Sequence, residues 1–156
     1  MNQAAMQIPE MIRRSKPFGW ILEPEAKKLL QSYSIPTTNF VWIKERENIT
    51  ESMATLTYPV VCKVVSPLIL HKTEANGVIV GISDENSVFE AFDRFSVLDR
   101  FQGILVEEMV EGLELIIGSK NDAQFGPVVL VGIGGISVEV YEDIAIRLAP
   151  ISAKEA

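Results

Sequence analysis

Helical and strand spacing alternate from residue 24 to residue 98 of this chain, and beyond residue 103 strand spacing takes over. That change of period limits the fold more than any other feature does. A segment mixing helices and strands must be followed by one built mostly of strands, which is an α+β arrangement. From Pro24 to about Tyr33 the apolar positions Ala26, Leu29, Leu30 and Tyr33 recur at i, i+3, i+4 and i+7, with Pro24 suited to a first helical turn. Ser34, Ile35 and Pro36 end that helix, and Thr38 to Ile43 reads as a strand. A weaker helix is expected from Asn48 to Leu56, with Thr50 as its N-cap, before the β-rich run Val60 to Val65.

Residues 66–77 read as a loop and Val78 to Ile82 as a strand. Asp84 is placed to cap a helix reaching about Leu98, with Val88, Ala91, Phe92 and Phe95 on one face. Five strand-like runs follow: Gly103 to Val110, Leu113 to Ser119, Val128 to Val131, Ser137 to Tyr141 and Ile144 to Leu148. The boundary between the two parts falls near residues 99–103. Residues 1–17 are polar and read as a tail or linker, their basic cluster Arg13, Arg14 and Lys16 being a solvated run.

Composition narrows the function. A net charge of −7 argues against a nucleic-acid partner, while a small polyanion remains compatible with a few local lysines. One cysteine allows no internal disulfide, which suits a reducing compartment. One histidine and one cysteine exclude an ordinary His/Cys zinc site, so any metal would be a hard cation such as magnesium. The N-terminus lacks a signal-peptide pattern. The most apolar stretch, Val128 to Val140, is broken by three glycines and Glu139 and is too short to span a bilayer. A soluble, cytoplasmic protein without a membrane segment is expected.

The single histidine, His71, lies in the loop that follows the strand carrying Lys63. Imidazole nitrogen can hold a phosphoryl group and is close to half-neutral at cellular pH. A lysine, a loop and a histidine in that order suggest phosphate that is held and then moved. Alternation puts Lys63 on one face with Val61 and Val65, where a buried ammonium needs an anion or a route to solvent. Both groups must open into one hollow for this chemistry.

Two further carboxylates draw attention. Glu111-Gly112 between the flanking runs suits a two-residue hairpin turn, in which Met109 faces Glu114 and Glu107 faces Ile116. Glu107 and Glu114 then lie diagonally on one face. They repel unless a ligand or metal uses them, or unless that face is simply wet. Gly132 to Gly135 is neither a Rossmann signature nor a Walker A loop: Ser137 breaks the first pattern and no Gly-Lys-Ser/Thr is present. It reads as a glycine-rich bend between strands. Asp122, Phe125, Gly126 and Pro127 have the chemistry of a turn.

Taken in series, these pieces resemble a known family. Pro59 to Pro67 with Lys63, the loop His71-Lys72-Thr73 to Gly77-Val78, and Val106 to Val110 followed by Glu114 look like an ATP-grasp fold. Gly118, Asp122, Phe125 to Pro127, Gly132 to Gly135, Val138, Glu139, Asp143, Arg147 and Pro150 continue the match, which covers about residues 20–156. More narrowly, the series is similar to the nucleotide-binding (beta) part of ADP-forming acyl-CoA synthetases, relatives of succinyl-CoA synthetase. The resemblance divides the chain into a first ATP-grasp lobe at 18–100 and the start of a second at 101–156.

The resemblance implies a role for each matching position. Lys63 would hold nucleotide phosphate oxygens, Glu107 to Val110 (with Glu108) would form the hinge that meets adenine, and Glu114 would bind the ribose hydroxyls. His71 would carry phosphate between a partner's site and ADP. The implied reaction is acyl-CoA + ADP + phosphate ⇌ acid + CoA + ATP, with ATP/ADP and Mg2+ as cofactors. A CoA-binding alpha subunit or fused alpha domain would form the acyl phosphate, in a homo- or hetero-oligomer.

The chain departs from the family pattern in two places. Asn76 stands where the family usually has a second glycine, and asparagine tolerates left-handed backbone. Family members also continue past the position of Ala156, where their magnesium-holding residues lie. The chain is therefore expected to be C-terminally incomplete, inactive alone, and without a metal site of its own. The alternative is a non-catalytic nucleotide-binding module of a larger protein, such as a bacterial protein acetyltransferase. A carboxylate–amine ligase would share the fold without needing His71.

Overall fold

The computed structural model describes residues 3–134 and 144–155, which divide into two compact units, 1–110 and 111–156. In the first unit the helices are α1 (Gln3–Ser15), α2 (Glu23–Ser32), α3 (Ile49–Met53) and α4 (Glu85–Ser96). Its strands are β1 (Phe40–Ile43), β2 (Val60–Val64), β3 (Val78–Ile82) and β4 (Ile104–Glu108). They form one antiparallel sheet in the order β1-β4-β2-β3.

Strand alternation sorts the two faces of this sheet. Val60, Cys62 and Val64 of β2 and Ile104 and Val106 of β4 pack with Ile49 and Met53 of α3 and Val88, Ala91, Phe92 and Phe95 of α4. This is the main core, as the apolar face expected for α4 requires. The opposite face carries Leu105 and, with Leu22 and Val65, a smaller cluster against Trp20, Phe40 and Trp42. Lys63 and Glu107 belong to this second face, because Lys63 pairs with Leu105 and Val61 with Glu107 across β2 and β4.

Local signals read from the sequence hold at several points. Asp84 caps α4, its Oδ1 accepting from the Ser87 amide at 2.9 Å. Asn76 takes the positive φ of 52° that its side chain tolerates. Asp122 Oδ1 accepts from the Gln124 and Phe125 amides, making the expected turn.

Three local readings are corrected. Thr50 does not cap α3, whose N-cap position is Asn48; the Thr50 hydroxyl instead donates to Glu85 at 2.8 Å. The segment read as an irregular tail contains α1, which packs on α2. Pro9 inside that helix disguised it, since proline ordinarily signals a helix boundary. Glu10 of α1 pairs with Arg13 at 2.7 Å and Arg14 at 3.0 Å, exposed contacts that add little stability.

The third correction concerns the proposed hairpin. Both edges of β4 are occupied, by β1 on one side and β2 on the other, so it has no edge left for the strand that follows. That strand, β5 (Leu115–Asp122), pairs instead with β6 (Gly126–Ile133), which pairs with β7 (Ile144–Leu148). The cross-strand argument that joined Glu107 to Glu114 therefore falls. In the second unit only Gly132 and Gly134 are buried among the described residues. The strand expected at Ser137 to Tyr141 lies outside the described residues, as do Gly135, Val138, Glu139 and Asp143.

Candidate functional site

β2 and β4 bring Lys63 and Glu107 together diagonally, and α2 supplies the rest of a charged cluster over them. Lys63 Nζ lies 2.5 Å from Glu107 Oε1 and 2.9 Å from Glu23 Oε1. Lys27 Nζ lies 2.5 Å from Glu107 Oε2, and the Thr38 hydroxyl donates to that same oxygen at 2.6 Å. The second oxygen of Glu23 accepts from Lys72 Nζ at 2.8 Å. Lys27, Lys63 and Lys72 thus face two carboxylates, leaving one positive charge in excess.

The geometry sets the protonation states. Burial pushes the Glu107 carboxyl up, but hydrogen bonds from Lys27, Lys63 and Thr38 outweigh it and hold the pKa at about 2. Glu23 is likewise lowered, burial being overcome by Lys63 and Lys72. Burial works against the Lys63 ammonium, yet Glu107 and Glu23 raise its pKa above the usual lysine value. Glu107, Glu23 and Lys63 are therefore charged at neutral pH, and Lys63 is a fixed cation presented from a strand. It remains 25% exposed, so an incoming anion can reach it.

The remaining predicted residues are placed differently. Glu108 alternates to the other face of β4, where it accepts from Asn39 Nδ2 and the Thr57 amide, both at 2.8 Å. Val110 is exposed just past the strand. Glu114 precedes β5 in the second unit, its carbonyl accepting from the Gly134 amide at 2.7 Å. His71 is 79% exposed, with Nδ1 4.0 Å from Glu74. Its neighbour Lys72 shares Glu23 with Lys63, which ties the histidine loop to the strand lysine.

Glu23, Lys27, Thr38 and Lys72 were missed in the sequence. The i, i+4 spacing of Glu23 and Lys27 puts them on one side of α2, but it carries no information about partners 40 or more residues away. A cavity of about 910 Å³ in this unit is lined by Trp20, Phe40, Trp42 and Lys44, and none of the five charged network residues lines it. Among the described residues no group of three His, Cys, Asp or Glu side chains is placed to hold a metal ion. No described helix is long and apolar enough to cross a membrane.

An α+β unit with a strand-borne lysine held by a buried carboxylate, followed by a loop and a second antiparallel sheet, defines a class. Residues 13–156 match the ATP-grasp domain family, and the chain belongs to it. The 4-hydroxybutyrate–CoA ligase (ADP-forming) of Nitrosopumilus maritimus is 38% identical over all of this chain and 24% of its own length. The beta subunit of acetate–CoA ligase (ADP-forming) I from Pyrococcus furiosus is 38% identical over 87% of this chain and 62% of its length. The chain thus spans less than two thirds of either relative. The dinucleotide-forming acetyl-coenzyme A synthetase 1 of Ca. Korarchaeum cryptofilum was solved with coenzyme A and Mg-AMPPCP, its phosphohistidine segment pointing towards the nucleotide binding site. It matches with a TM-score of 0.75 at 36% identity, over 94% of this chain and 66% of that one.

Proposed function

We propose that this chain is the nucleotide-binding part of an ADP-forming acid–CoA ligase, acting in the cytoplasm with a CoA-binding partner or fused domain. The observation that carries the reading is Lys63, a partly exposed ammonium fixed by Glu107 and Glu23 and joined through Glu23 to the His71 loop. Such a cation can hold phosphate oxygens without having to be ordered at the moment of binding. The likeness to ligases, one of them solved with a nucleotide analogue and magnesium, supports the same assignment.

In this reading Glu107 holds Lys27 and Lys63, and the residues just after it, Glu108 to Val110, form the adenine hinge. Glu114 takes the ribose hydroxyls. The first unit supplies most of one ATP-grasp lobe, and residues beyond it begin a second. His71, exposed on its loop, accepts a phosphoryl group from the partner's site and passes it to ADP. Magnesium enters with the nucleotide and supplies charge neutralisation; none of the described residues is assigned to it.

Lys63→Ala in the complete ligase is expected to weaken ADP binding by at least about tenfold, the scale of losing one charge-assisted phosphate contact. Unchanged ADP affinity by calorimetry would remove Lys63 from the site. His71→Ala is expected to stop transfer of radiolabelled phosphate while ADP still binds. Persisting transfer would end the relay.

A further inference from the structure

The loop between β2 and β3 is pinned at both ends. At its start the Ser66 hydroxyl donates to the Asp99 carbonyl at 2.7 Å and accepts from the Leu68 amide at 3.1 Å. Trp20 Nε1 donates to the Pro67 carbonyl at 3.1 Å. At its end the Gly77 amide donates to the Lys72 carbonyl at 2.7 Å, and the Val64 amide donates to the Gly77 carbonyl at 2.8 Å. A Cβ on Gly77 would come within 2.5 Å of Val64 Cγ1, so the chain closes tightly there.

Between the pinned ends two adjacent residues take opposite environments. His71 is 79% exposed, whereas the Lys72 side chain is 14% exposed and reaches Glu23 at 2.8 Å. Glu23 sits in the first turn of α2, where a carboxylate is favoured by the helix dipole, and it is followed by the buried Pro24. Its other oxygen holds Lys63 at 2.9 Å. A single carboxylate on a helix therefore fixes a loop side chain and a strand side chain at once.

We propose that Glu23 and Lys72 are positioning residues: their ion pair anchors the loop with Lys72 turned inward and its neighbour His71 held outward. The anchoring itself stands on the contacts above. Its meaning for phosphate transfer rests on the nucleotide reading. Without the pair, the loop keeps its ends but loses the contact that decides which way its middle turns. His71 then samples a wider range of orientations, and a misplacement on the scale of 1 Å is costly for transfer.

Hydrogen exchange of the full chain without nucleotide tests the anchor. Glu23→Gln and Lys72→Met are each expected to speed exchange of the Ala75 and Asn76 amides by about fivefold, because those amides close the turns in the loop's middle. The double variant is expected to exchange no faster than the faster single, since one contact is lost either way. Unchanged protection of Val60 to Val64 in β2 verifies that each variant is folded. Loop exchange unaltered by either substitution, or effects that multiply in the double variant, would overturn the proposal. In the complete ligase, Lys72→Met is expected to lower kcat about tenfold or more with the KM for ADP nearly unchanged. A raised KM with kcat intact would make Lys72 a nucleotide ligand and overturn its positioning role. Failure of the unaltered ligase to bind ADP would sink the nucleotide reading alone, leaving the exchange result to decide the anchor.

Discussion

Glu107→Gln removes the charge that two lysines share. The Glu107 side chain is only 7% exposed and accepts from Lys27, Lys63 and Thr38. Its pKa falls from an ordinary 4.5 to about 2, which at neutral pH favours the folded, charged form by about 3 kcal/mol. Glutamine keeps one acceptor oxygen but turns an N–H donor towards an ammonium, and Lys63 retains Glu23, so a loss of about 3 kcal/mol is expected. The two tryptophans, Trp20 and Trp42, both lie in the first unit, so their fluorescence follows its unfolding in urea. With a slope of about 1.5 kcal/mol/M the midpoint should drop by about 2 M.

The pH dependence gives the sharper check. A depressed carboxyl contributes stability that is full above its unfolded pKa and is lost as pH falls towards the folded one. Glutamine does not titrate. The gap between the two proteins should therefore stay constant from neutral pH to about 5 and close progressively below about 4.5, approaching zero near pH 2. A gap under about 1 kcal/mol at neutral pH, or one of the same size at pH 3 as at pH 7, would refute the argument that Glu107 is held by its lysines.

Asp84→Ala is expected to lower the urea midpoint by removing the N-cap of α4, and Asp84→Asn should recover most of the loss in the same measurement. Burial raises the Cys62 thiol to about 12, so it should resist a disulfide reagent at pH 8 in the folded chain and react at once in denaturant. Prompt reaction in the folded state would mean that the core around β2 opens locally.

Much of the fold was legible locally. The positions of α2, α4 and the strands β1 to β4 follow from apolar periods of 3.6 and 2, and Asp84, Asn76 and Asp122 announced a cap, a left-handed residue and a turn. The α+β class followed from the order of those pieces, and the ATP-grasp family from the resemblance carried by the Lys63 strand, the His71 loop and the run from Val106 to Glu114. Lys63 was also legible as a problem: a lysine on an apolar strand face that needed an anion or a route to solvent. Helix α1 was not, because Pro9 and a polar composition hid it.

What answers the charge of Lys63 was decided only by tertiary structure. The sequence suggested a hairpin in which Glu107 met Glu114; the sheet instead placed β4 between β1 and β2 and turned Glu107 towards Lys63. Glu23, 40 residues from Lys63 and 49 from Lys72, became the bridge between them. Periodicity fixes which face of a strand is apolar because side chains alternate within the strand itself. It cannot fix which strands become neighbours, because that depends on which edges remain unpaired once every other element has packed.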